Sequence, residues 1–217
     1  MTTTPRKRAP RRDALENKEK ILQAAELYFG EHGLEASLHT LVDNLGFGIG
    51  TLYRHFPTRN DLIATIYHRQ AARMIEALER ATEIEDPWDT VVTAIDAMID
   101  LMSRYPSMRA IAARMAQIDP GVLARAAGQE LVTGIVARAQ EQGVIRADAT
   151  AADLAHIPTL LESVLRLPEP ARGIVLARQR AIILDGIRPQ AMTTPLPAEP
   201  LTGEDLHKLA HGQRLHP

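Results

Sequence analysis

The sequence predicts an all-α protein with two helical domains. Apolar residues recur at helical spacing along most of the 217 residues. Helix caps and helix-starting prolines separate these runs, whereas alternating strand patterns are nearly absent. With 45% hydrophobic and 24% charged residues, the chain can bury one or two small cores. We expect about nine helices, of which the first three form a domain of their own.

The first three helices are predicted from apolar spacing and caps. Residues 13–31 carry apolar side chains at i, i+3, i+4, i+7 and i+8, and Gly33 stands where a C-terminal cap belongs. A short second helix spans 37–45, beginning at a serine N-cap. After a glycine turn, a third helix spans about 48–56 and ends before Pro57.

The later helices are marked by capping residues and prolines. Thr58 and Asp61 predict a capping box at the start of a long helix that ends near Glu83. The helix capped by Thr150 contains Pro158, which should kink it or shift its effective start. Further helices are predicted to start at Pro87, Pro106, Pro120 and Arg172, the third of these ending near Gly143 and the last near Ile187.

These elements divide the chain into four parts. Residues 1–12 form a basic arm, predicted to be disordered, that contains the sequence RKRAPRR. Residues 13–57 form the three-helix domain, and residues 58–188 form the second helical domain. Residues 189–217 form a Pro-rich tail with a possible short helix.

Composition and charge narrow the class of protein. The net charge is −2, but residues 1–60 carry +2 and the remainder −4. The positive charge is concentrated in the basic arm, which is free to lie along a polyanion. The chain has no Cys, which excludes disulfides and cysteine zinc sites. No apolar run has membrane-spanning length and no signal peptide is recognisable. We therefore expect a cytoplasmic protein without membrane contact.

The glycine-rich stretch LGFGIGTLYRHF at 45–56 raises the question of a phosphate-binding loop. Rossmann and kinase loops need a third glycine where Thr51 stands, and a P-loop needs lysine where Gly50 stands. The preceding SLHTLVDNL has helical spacing, not that of a strand. A short helix, a glycine turn and a second short helix predict a helix-turn-helix, whose second helix enters the DNA major groove.

The stretches KILQAAELYFGEHG and SLHTLVDNLGFGIGTLYRHFPTRNDL resemble the DNA-binding domain of TetR-family transcriptional regulators, over about residues 18–65. The resemblance implies a double-stranded DNA operator as partner. It further implies base-edge contacts by Ile49, Gly50 and Thr51, phosphate contacts by Tyr53, His55 and Arg59, and a position next to the DNA for Ser37, His39, Gly48 and Arg54.

Two positions depart from the family pattern. Gly48 replaces the usual serine or threonine, which removes a hydroxyl that would cap the third helix or touch phosphate. Leu45 replaces the small residue that usually precedes the turn glycine, so the second and third helices should pack slightly further apart.

The second domain offers candidates for an effector pocket. Methionines outnumber aromatic residues there, and methionine suits an adaptable apolar cavity, although a plain core is the alternative interpretation. In the family, the helices after Pro87 and Pro106 help to wall the effector cavity. The candidate effector contacts are Trp88, Met98, Met102, Ile111 and Met115.

The last two long helices are candidates for a homodimer interface. In residues 154–187 the apolar side chains cover a wider part of the helix surface than packing against one core requires. In the family the corresponding helices form a four-helix dimer seam, and a dimer reads a palindrome. The candidate interface residues are Leu161, Val164, Leu165, Ile182, Ile183 and Ile187.

The leading functional hypothesis is a one-component transcriptional regulator, most simply a repressor. A small, largely apolar effector would release it from a palindromic operator, with the helix 58–83 as transmitter. A ligand-binding helical protein with weakened DNA binding is the second hypothesis, motivated by Gly48. An enzyme with a metal bound to HKLAH at 207–211 is disfavoured, because Lys208 stands where a metalloprotease needs glutamate. We expect no catalytic residue, no cofactor and no metal site.

Overall fold

The computed structural model describes residues 9–119, 121–122, 127–190 and 194–196. Within these ranges every regular element is a helix, as the sequence predicted. The ten helices are α1 (Ala9–His32), α2 (Leu38–Asp43), α3 (Ile49–His55), α4 (Arg59–Thr82), α5 (Pro87–Arg104), α6 (Met108–Ile118), α7 (Ala127–Glu141), α8 (Ala151–Leu160), α9 (Glu162–Leu165) and α10 (Ala171–Ile187).

The described residues form two compact units. Unit 1 contains residues 9–68 and 105–115, and unit 2 contains residues 69–104 and the described residues from 116 onward. The division falls inside α4 and α6, so each of these helices contributes to both units. The predicted domain boundary at residue 57 lies within unit 1.

The core of unit 1 is built from the apolar stripes of its helices. The helices α1, α2 and α3 contact one another pairwise, and their apolar stripes follow the helical spacing seen in the sequence. The buried side chains of unit 1 include Ile21, Ala25, Phe29, Leu38, Leu41, Val42, Leu52, Phe56, Leu62, Ile63, Ile66, Ile111 and Met115.

Helix α1 begins earlier than the sequence analysis predicted. It starts at Ala9, so residues 9–12 of the predicted disordered arm are helical. Pro10 is compatible with this start, because the first turn of a helix leaves its N–H groups unpaired. Gly33 ends α1 as predicted, since its φ of +80° is readily adopted only by glycine and its N–H donates to the Phe29 carbonyl at 3.0 Å.

The segment 105–115 packs within unit 1 rather than within the second helical domain. Hydroxyl Oγ of Ser107 donates to the Glu26 carbonyl of α1 at 3.1 Å. The Pro106 ring lies against Gly30, where an added Cβ would stand 3.5 Å from it. A contact between residues so far apart in the chain leaves no periodic signal, which explains why sequence analysis assigned this segment differently.

Unit 2 has a core of its own. Side chains from α4, α5, α7, α8 and α10 form one continuous apolar cluster. Arg180 on α10 donates to both carboxylate oxygens of Asp96 on α5 at 2.5 and 2.6 Å. This bidentate pair fixes α10 against α5 at a half-exposed position.

Two predicted helices of unit 2 differ in detail. Residues 121–122 form a turn, in which the Gly121 N–H donates to Asp119 at 3.1 Å, so helix α7 starts at Ala127 rather than at Pro120. Thr150 and Asp153 form the predicted capping box of α8. Pro158 lies inside α8, which ends at Leu160, and α9 follows as a separate short helix. This break accounts for one more helix than expected.

Part of the Pro-rich tail is attached to unit 2. Arg146 donates to both carboxylate oxygens of Asp148 and to the Thr194 carbonyl, while the Leu196 N–H donates to Asp148. The Arg146 hydrogen bond and the Leu196 N–H hold the pKa of Asp148 below its usual range. The predicted short helix in the tail and the HKLAH sequence lie outside the described residues.

The contact between Gly30 and Pro106 generates the first prediction. An alanine Cβ at position 30 would make ordinary contacts of 3.5 to 3.6 Å with Pro106, so Gly30→Ala should raise the free energy of unfolding by about 0.5–1 kcal/mol through helix propensity. Gly30→Phe should lower it by about 1–3 kcal/mol, because its ring competes with Pro106 for space. Urea unfolding measures both, and equal stability of the two variants would contradict this packing.

Candidate nucleic-acid interface

The second and third helices are connected by a tight turn. Oγ of Ser37 accepts a hydrogen bond from the Thr40 N–H at 3.3 Å and caps α2. Gly46 has a φ of +73°, which lets the chain turn sharply after α2. The Phe47 N–H donates to the Val42 carbonyl at 2.9 Å and closes the turn. The helix-turn-helix geometry therefore rests on short-range signals that the sequence displays.

Helix α3 has one face in the core and its N-terminal end in solvent. Leu52 and Phe56 are fully buried at i, i+4 and anchor the helix to unit 1. Gly48 and Gly50 are exposed, and Tyr53 is 45% exposed. A helix placed in this way presents its first turn and one side to a groove of DNA.

The predicted contact residues of α2 and α3 mostly lie at this surface. Exposed positions are occupied by Ser37, His39, Gly48, Gly50, Tyr53 and Arg54, and partly exposed ones by Ile49 and Thr51. Gly48 is the N-cap residue of α3, but no side-chain hydrogen bond caps this helix, as predicted from the absence of a hydroxyl at this position. Ile49 is half-buried, so part of its side chain is covered by the protein and part is open to solvent.

Two predicted phosphate contacts have structural surroundings of their own. Arg59 donates from its guanidinium to the Leu34 carbonyl at 2.5 Å and thereby ties the start of α4 to the segment before α2. The ring of His55 is half-buried, and its Nε2 has no hydrogen-bond partner among the residues that the structure describes. Arg54 is therefore the better exposed cation of α3.

Lys18 of α1 adds a cation that the sequence analysis did not select. Its ammonium lies 5.6 Å from the centroid of the Phe56 ring, and its charge acts on His55 together with that of Arg54. Burial first, and then these two cations, lower the pKa of His55 below its ordinary value of 6.5. The proximity of α1 to α3 depends on tertiary packing, so no local pattern marked Lys18.

The electrostatics of this surface favour a polyanion. Residues 44–60 contain no Asp or Glu but include Arg54 and Arg59. Lys18 adds a positive charge beside them, while the N-terminal end of α3 carries the positive end of a short helix dipole. Backbone phosphates of DNA carry the complementary charge.

Unit 2 contains a separate cavity of about 290 Å³. The cavity forms because α8 contributes alanines and α7 contributes a glycine to its wall, and these small residues leave space. Methionine and leucine side chains also line it. The lining residues are Met74, Leu78, Met98, Gly128, Gln129, Val132, Ala151, Ala152, Ala155 and His156.

The predicted effector residues are not brought together in this cavity. Met98 lines it, but Ile111 and Met115 are buried in unit 1. Trp88 packs against the core of unit 2 with the Arg188 guanidinium 3.8 Å from the centroid of its ring. Met102 is half-buried and is not part of the lining. Ile111 and Met115 thus belong to a different unit from Met98, although all three lie on helices with similar apolar spacing.

A buried amide lies one helical turn from the cavity wall. Gln70 is 2% exposed, and neither its Nε2 nor its Oε1 has a hydrogen-bond partner among the described residues. On α4, Gln70 precedes Met74 by four positions, which places the two on one face of the helix. An unpaired buried amide lowers the free energy of unfolding. Gln70 is therefore a buried polar side chain of unit 2 that lies near the cavity but is not part of its lining.

Comparisons with known proteins identify the family. A family model described as bacterial regulatory proteins of the tetR family matches residues 21–66, which extend from α1 into α4. A helix-turn-helix transcriptional regulator of Staphylococcus aureus is 30% identical over 96 residues, covering 44% of this chain and 50% of that protein. The crystal structure of a TetR transcriptional regulator from Streptomyces coelicolor is 31% identical, covers 81% of this chain and 100% of that chain, and has a TM-score of 0.57.

The chain belongs to the TetR family. This family contains regulators of transcription and not enzymes. The crystal structure of a γ-butyrolactone receptor, described as an ArpA-like protein, is 25% identical to this chain and has a TM-score of 0.61. The match covers 81% of this chain and 90% of the receptor chain. The chain spans about half the length of the curated relatives that it matches.

The predicted dimer residues of this TetR-family chain are only partly exposed. Leu161 is buried in the core of unit 2 and is therefore not available to a partner. Val164, Leu165, Ile183 and Ile187 are half-buried and pack against the same core, whereas Ile182 is 61% exposed. The neighbouring exposed apolar side chains are Leu160 at 72% and Ile174 at 61%.

The described part of the TetR-family chain contains neither a membrane-spanning helix nor a cluster of metal-binding side chains. No helix there is both long enough and apolar enough to cross a membrane. Nor does that part contain three or more His, Asp or Glu side chains grouped for metal binding.

The lowered pKa of His55 predicts a pH dependence of folding. The unfolded chain takes up the histidine proton near pH 6.5, whereas the folded chain takes it up only at lower pH. The stabilisation is therefore complete above pH 6.5 and is lost as the pH falls through the folded pKa. His55→Gln should reduce the loss of unfolding free energy between pH 7.5 and pH 5, measured in urea.

The matched control is His39→Gln, which replaces an exposed histidine of α2. This variant should keep the wild-type pH dependence. If His55→Gln lost as much stability as the wild type over this interval, the burial of His55 beside Arg54 and Lys18 would be contradicted.

Proposed function

We propose that this chain is a transcriptional repressor. It binds a palindromic operator as a homodimer through the N-terminal end of α3, and a small, largely apolar effector in the cavity of unit 2 releases it. The observation that carries the proposal is the exposed N-terminal end of α3 on a fixed helix-turn-helix, within a stretch, residues 44–60, that contains no Asp or Glu. Membership of the TetR family supports the same function.

The DNA contact is argued from the exposed end of α3. Gly48 and Gly50 carry no side chain beyond the backbone, so α3 can approach base edges closely. Thr51 offers one hydroxyl to those edges, and Ile49 offers an apolar surface to thymine methyls. Arg54 and Tyr53 then contact phosphates on one side of the groove. Sequence preference would therefore rest on few hydrogen bonds.

The effector site is argued from the cavity in unit 2. Its lining consists mainly of methionine, leucine, valine and alanine side chains, and its volume lies near the lower end of the range for small-molecule sites. The γ-butyrolactone receptor among the similar structures is a receptor for a small molecule by its description. A ligand of moderate size and low polarity fits these walls.

The coupling between effector and DNA is assigned to α4. This helix is unbroken from Arg59 to Thr82, begins beside Leu34 through the Arg59 hydrogen bond, and supplies Met74 and Leu78 to the cavity. A ligand that favours one position of α4 shifts the population of DNA-binding conformers. Typical coupling of about 1–3 kcal/mol would lower operator affinity by roughly 5- to 150-fold.

Replacement of Arg54 tests the DNA-binding surface. Arg54→Ala should weaken binding to DNA from upstream of the chain's own gene, because it removes one phosphate contact. The slope of log affinity against log salt should fall by about one unit. Fluorescence anisotropy of labelled DNA at several salt concentrations measures both quantities.

Arg104→Ala is the matched control, since Arg104 is exposed and ion-paired at the end of α5 in unit 2. It should retain wild-type affinity and salt slope. Equal slopes for wild type and Arg54→Ala would exclude Arg54 as a phosphate contact. Wild-type protein that bound this DNA no better than unrelated DNA would favour the alternative of a ligand-binding protein with weakened DNA binding.

The dimer interface is argued from exposed apolar side chains of α8 and α10. Ile174 and Ile182 stand two turns apart along α10, and Leu160 ends α8. Burial of three such side chains by a second chain removes apolar area from water. A two-fold dimer also presents two copies of α3 to the two half-sites of a palindrome.

Replacement of Ile174 and Ile182 by glutamate should produce a folded monomer. Both side chains are already 61% exposed within one chain, so the charges disturb only a subunit contact, where they would be buried unpaired. Light scattering should give the mass of one chain for the double variant and of two chains for the wild type.

Leu27→Glu is the control, because Leu27 is 58% exposed on α1 and belongs to unit 1. It should leave the mass at two chains. A wild-type mass of one chain at micromolar concentration, or an unchanged dimer in the double variant, would contradict the assignment of this face.

A further inference from the structure

The cavity of unit 2 contains very few polar side chains. Of its ten lining residues only Gln129 and His156 are polar, and none is Lys, Arg, Asp or Glu. A ligand with a full charge would therefore lose its hydration without gaining a counter-ion from the lining. The lining consequently selects against carboxylates and against amines in their charged form.

One of the two polar side chains has a defined hydrogen-bonding state. Nδ1 of His156 lies 2.5 Å from the carbonyl oxygen of Ala152, one turn earlier on α8. A carbonyl oxygen only accepts, so Nδ1 must carry the proton in this contact. In the neutral ring Nε2 is then left as an acceptor, and it has no hydrogen-bond partner among the described residues.

The surrounding α8 residues leave space beside this ring. Ala151, Ala152 and Ala155 all line the cavity next to His156, so three short side chains stand where larger ones would fill the volume. On the other side Met74 and Met98 provide flexible apolar walls. The arrangement therefore combines an apolar space with one hydrogen-bond acceptor in its α8 wall.

We propose that the cavity binds an uncharged apolar molecule that carries one hydroxyl or amide N–H group, which donates a hydrogen bond to Nε2 of His156. This inference rests on the proposed function in one respect, namely that the cavity is a ligand site. It adds the chemical class of the ligand and the residue that distinguishes it from a molecule of the same shape without a donor.

The test uses two probes with the same two-ring body, one with a hydroxyl donor and one in which a methyl group replaces the hydroxyl hydrogen. 2-Naphthol has an apolar two-ring body and one hydroxyl, whereas 2-methoxynaphthalene has the same body and no donor. Because a net hydrogen bond is worth about 0.5–1.5 kcal/mol, wild-type protein should bind 2-naphthol roughly fivefold more tightly. Isothermal calorimetry measures both affinities, and equal affinities would overturn the proposal.

Variants of the cavity assign the preference to His156. His156→Phe keeps a planar ring without an acceptor, so it should bind the two probes equally and retain the affinity for 2-methoxynaphthalene. Ala152→Leu should weaken both probes, because it fills the space beside the ring. Absence of binding by either probe to wild type, or wild-type affinities in Ala152→Leu, would show that this cavity is not the site.

Two glutamine variants test the competing polar groups. Gln129→Leu replaces the other polar lining residue, and Gln70→Met replaces the buried amide near Met74 with a side chain of similar length. Both should retain the preference for 2-naphthol. Loss of the preference in either variant, with retention in His156→Phe, would move the hydrogen bond away from His156 and overturn the assignment.

A spectroscopic readout separates a hydrogen bond from a change in shape. In ¹⁵N-labelled protein the Nε2 resonance that is absent from His156→Phe should shift on addition of 2-naphthol, and it should shift much less with 2-methoxynaphthalene. Equal shifts with both probes would contradict a donated hydrogen bond at Nε2.

The proposed regulation is tested independently by measuring the affinity for labelled upstream DNA by fluorescence anisotropy, with and without the probes. If 2-naphthol shows the His156-dependent preference but leaves DNA affinity unchanged, the ligand class stands and the proposed release of DNA by ligands of this class fails. If 2-naphthol releases DNA with equal potency from wild type and His156→Phe, regulation by the cavity is supported and the proposed role of His156 is contradicted.

Discussion

The burial of Leu52 and Phe56 is the constraint on which the DNA-binding surface depends. Both side chains are fully enclosed in unit 1, and their i, i+4 spacing fixes the rotation of α3 about its axis. With that face committed to the core, Gly48, Gly50 and Tyr53 have to lie toward solvent. The turn at Gly46 fixes the direction in which α3 leaves α2. A slip of one residue in α3 would rotate the helix by about 100° and bury the surface that DNA needs.

The helix-turn-helix was predictable because its determinants are local. The Ser37 cap, the turn at Gly46 and the Thr58 capping box act within a few residues, and each was found where the sequence indicated. The surroundings of α3 were not predictable in the same way. Lys18 approaches Phe56, and Arg59 binds the Leu34 carbonyl, through packing between helices that leaves no periodic signal. Such contacts decide which cations are exposed to DNA and which hold the fold.

The second unit shows a related limit of sequence analysis. Apolar spacing cannot distinguish a side chain buried within one chain from one buried between two chains, which is why Leu161 was assigned to an interface and lies in the core. Ile182, one of the predicted interface residues, is exposed, and so are Leu160 and Ile174, which the predicted interface did not include. For the cavity the informative residues were small ones. Alanines of α8 create its space, but small side chains give little signal in a search for apolar contacts.

Chemical protection of operator DNA tests the central claim that α3 lies in the major groove. Guanine N7 is exposed in the major groove, and adenine N3 in the minor groove. When the protein binds DNA from upstream of its own gene, dimethyl sulfate should be blocked at guanine N7 in two clusters. These clusters should be separated by one helical turn or a multiple of it, as two copies of α3 on a two-fold axis require. Protection of adenine N3 alone, or a single cluster, would contradict the account.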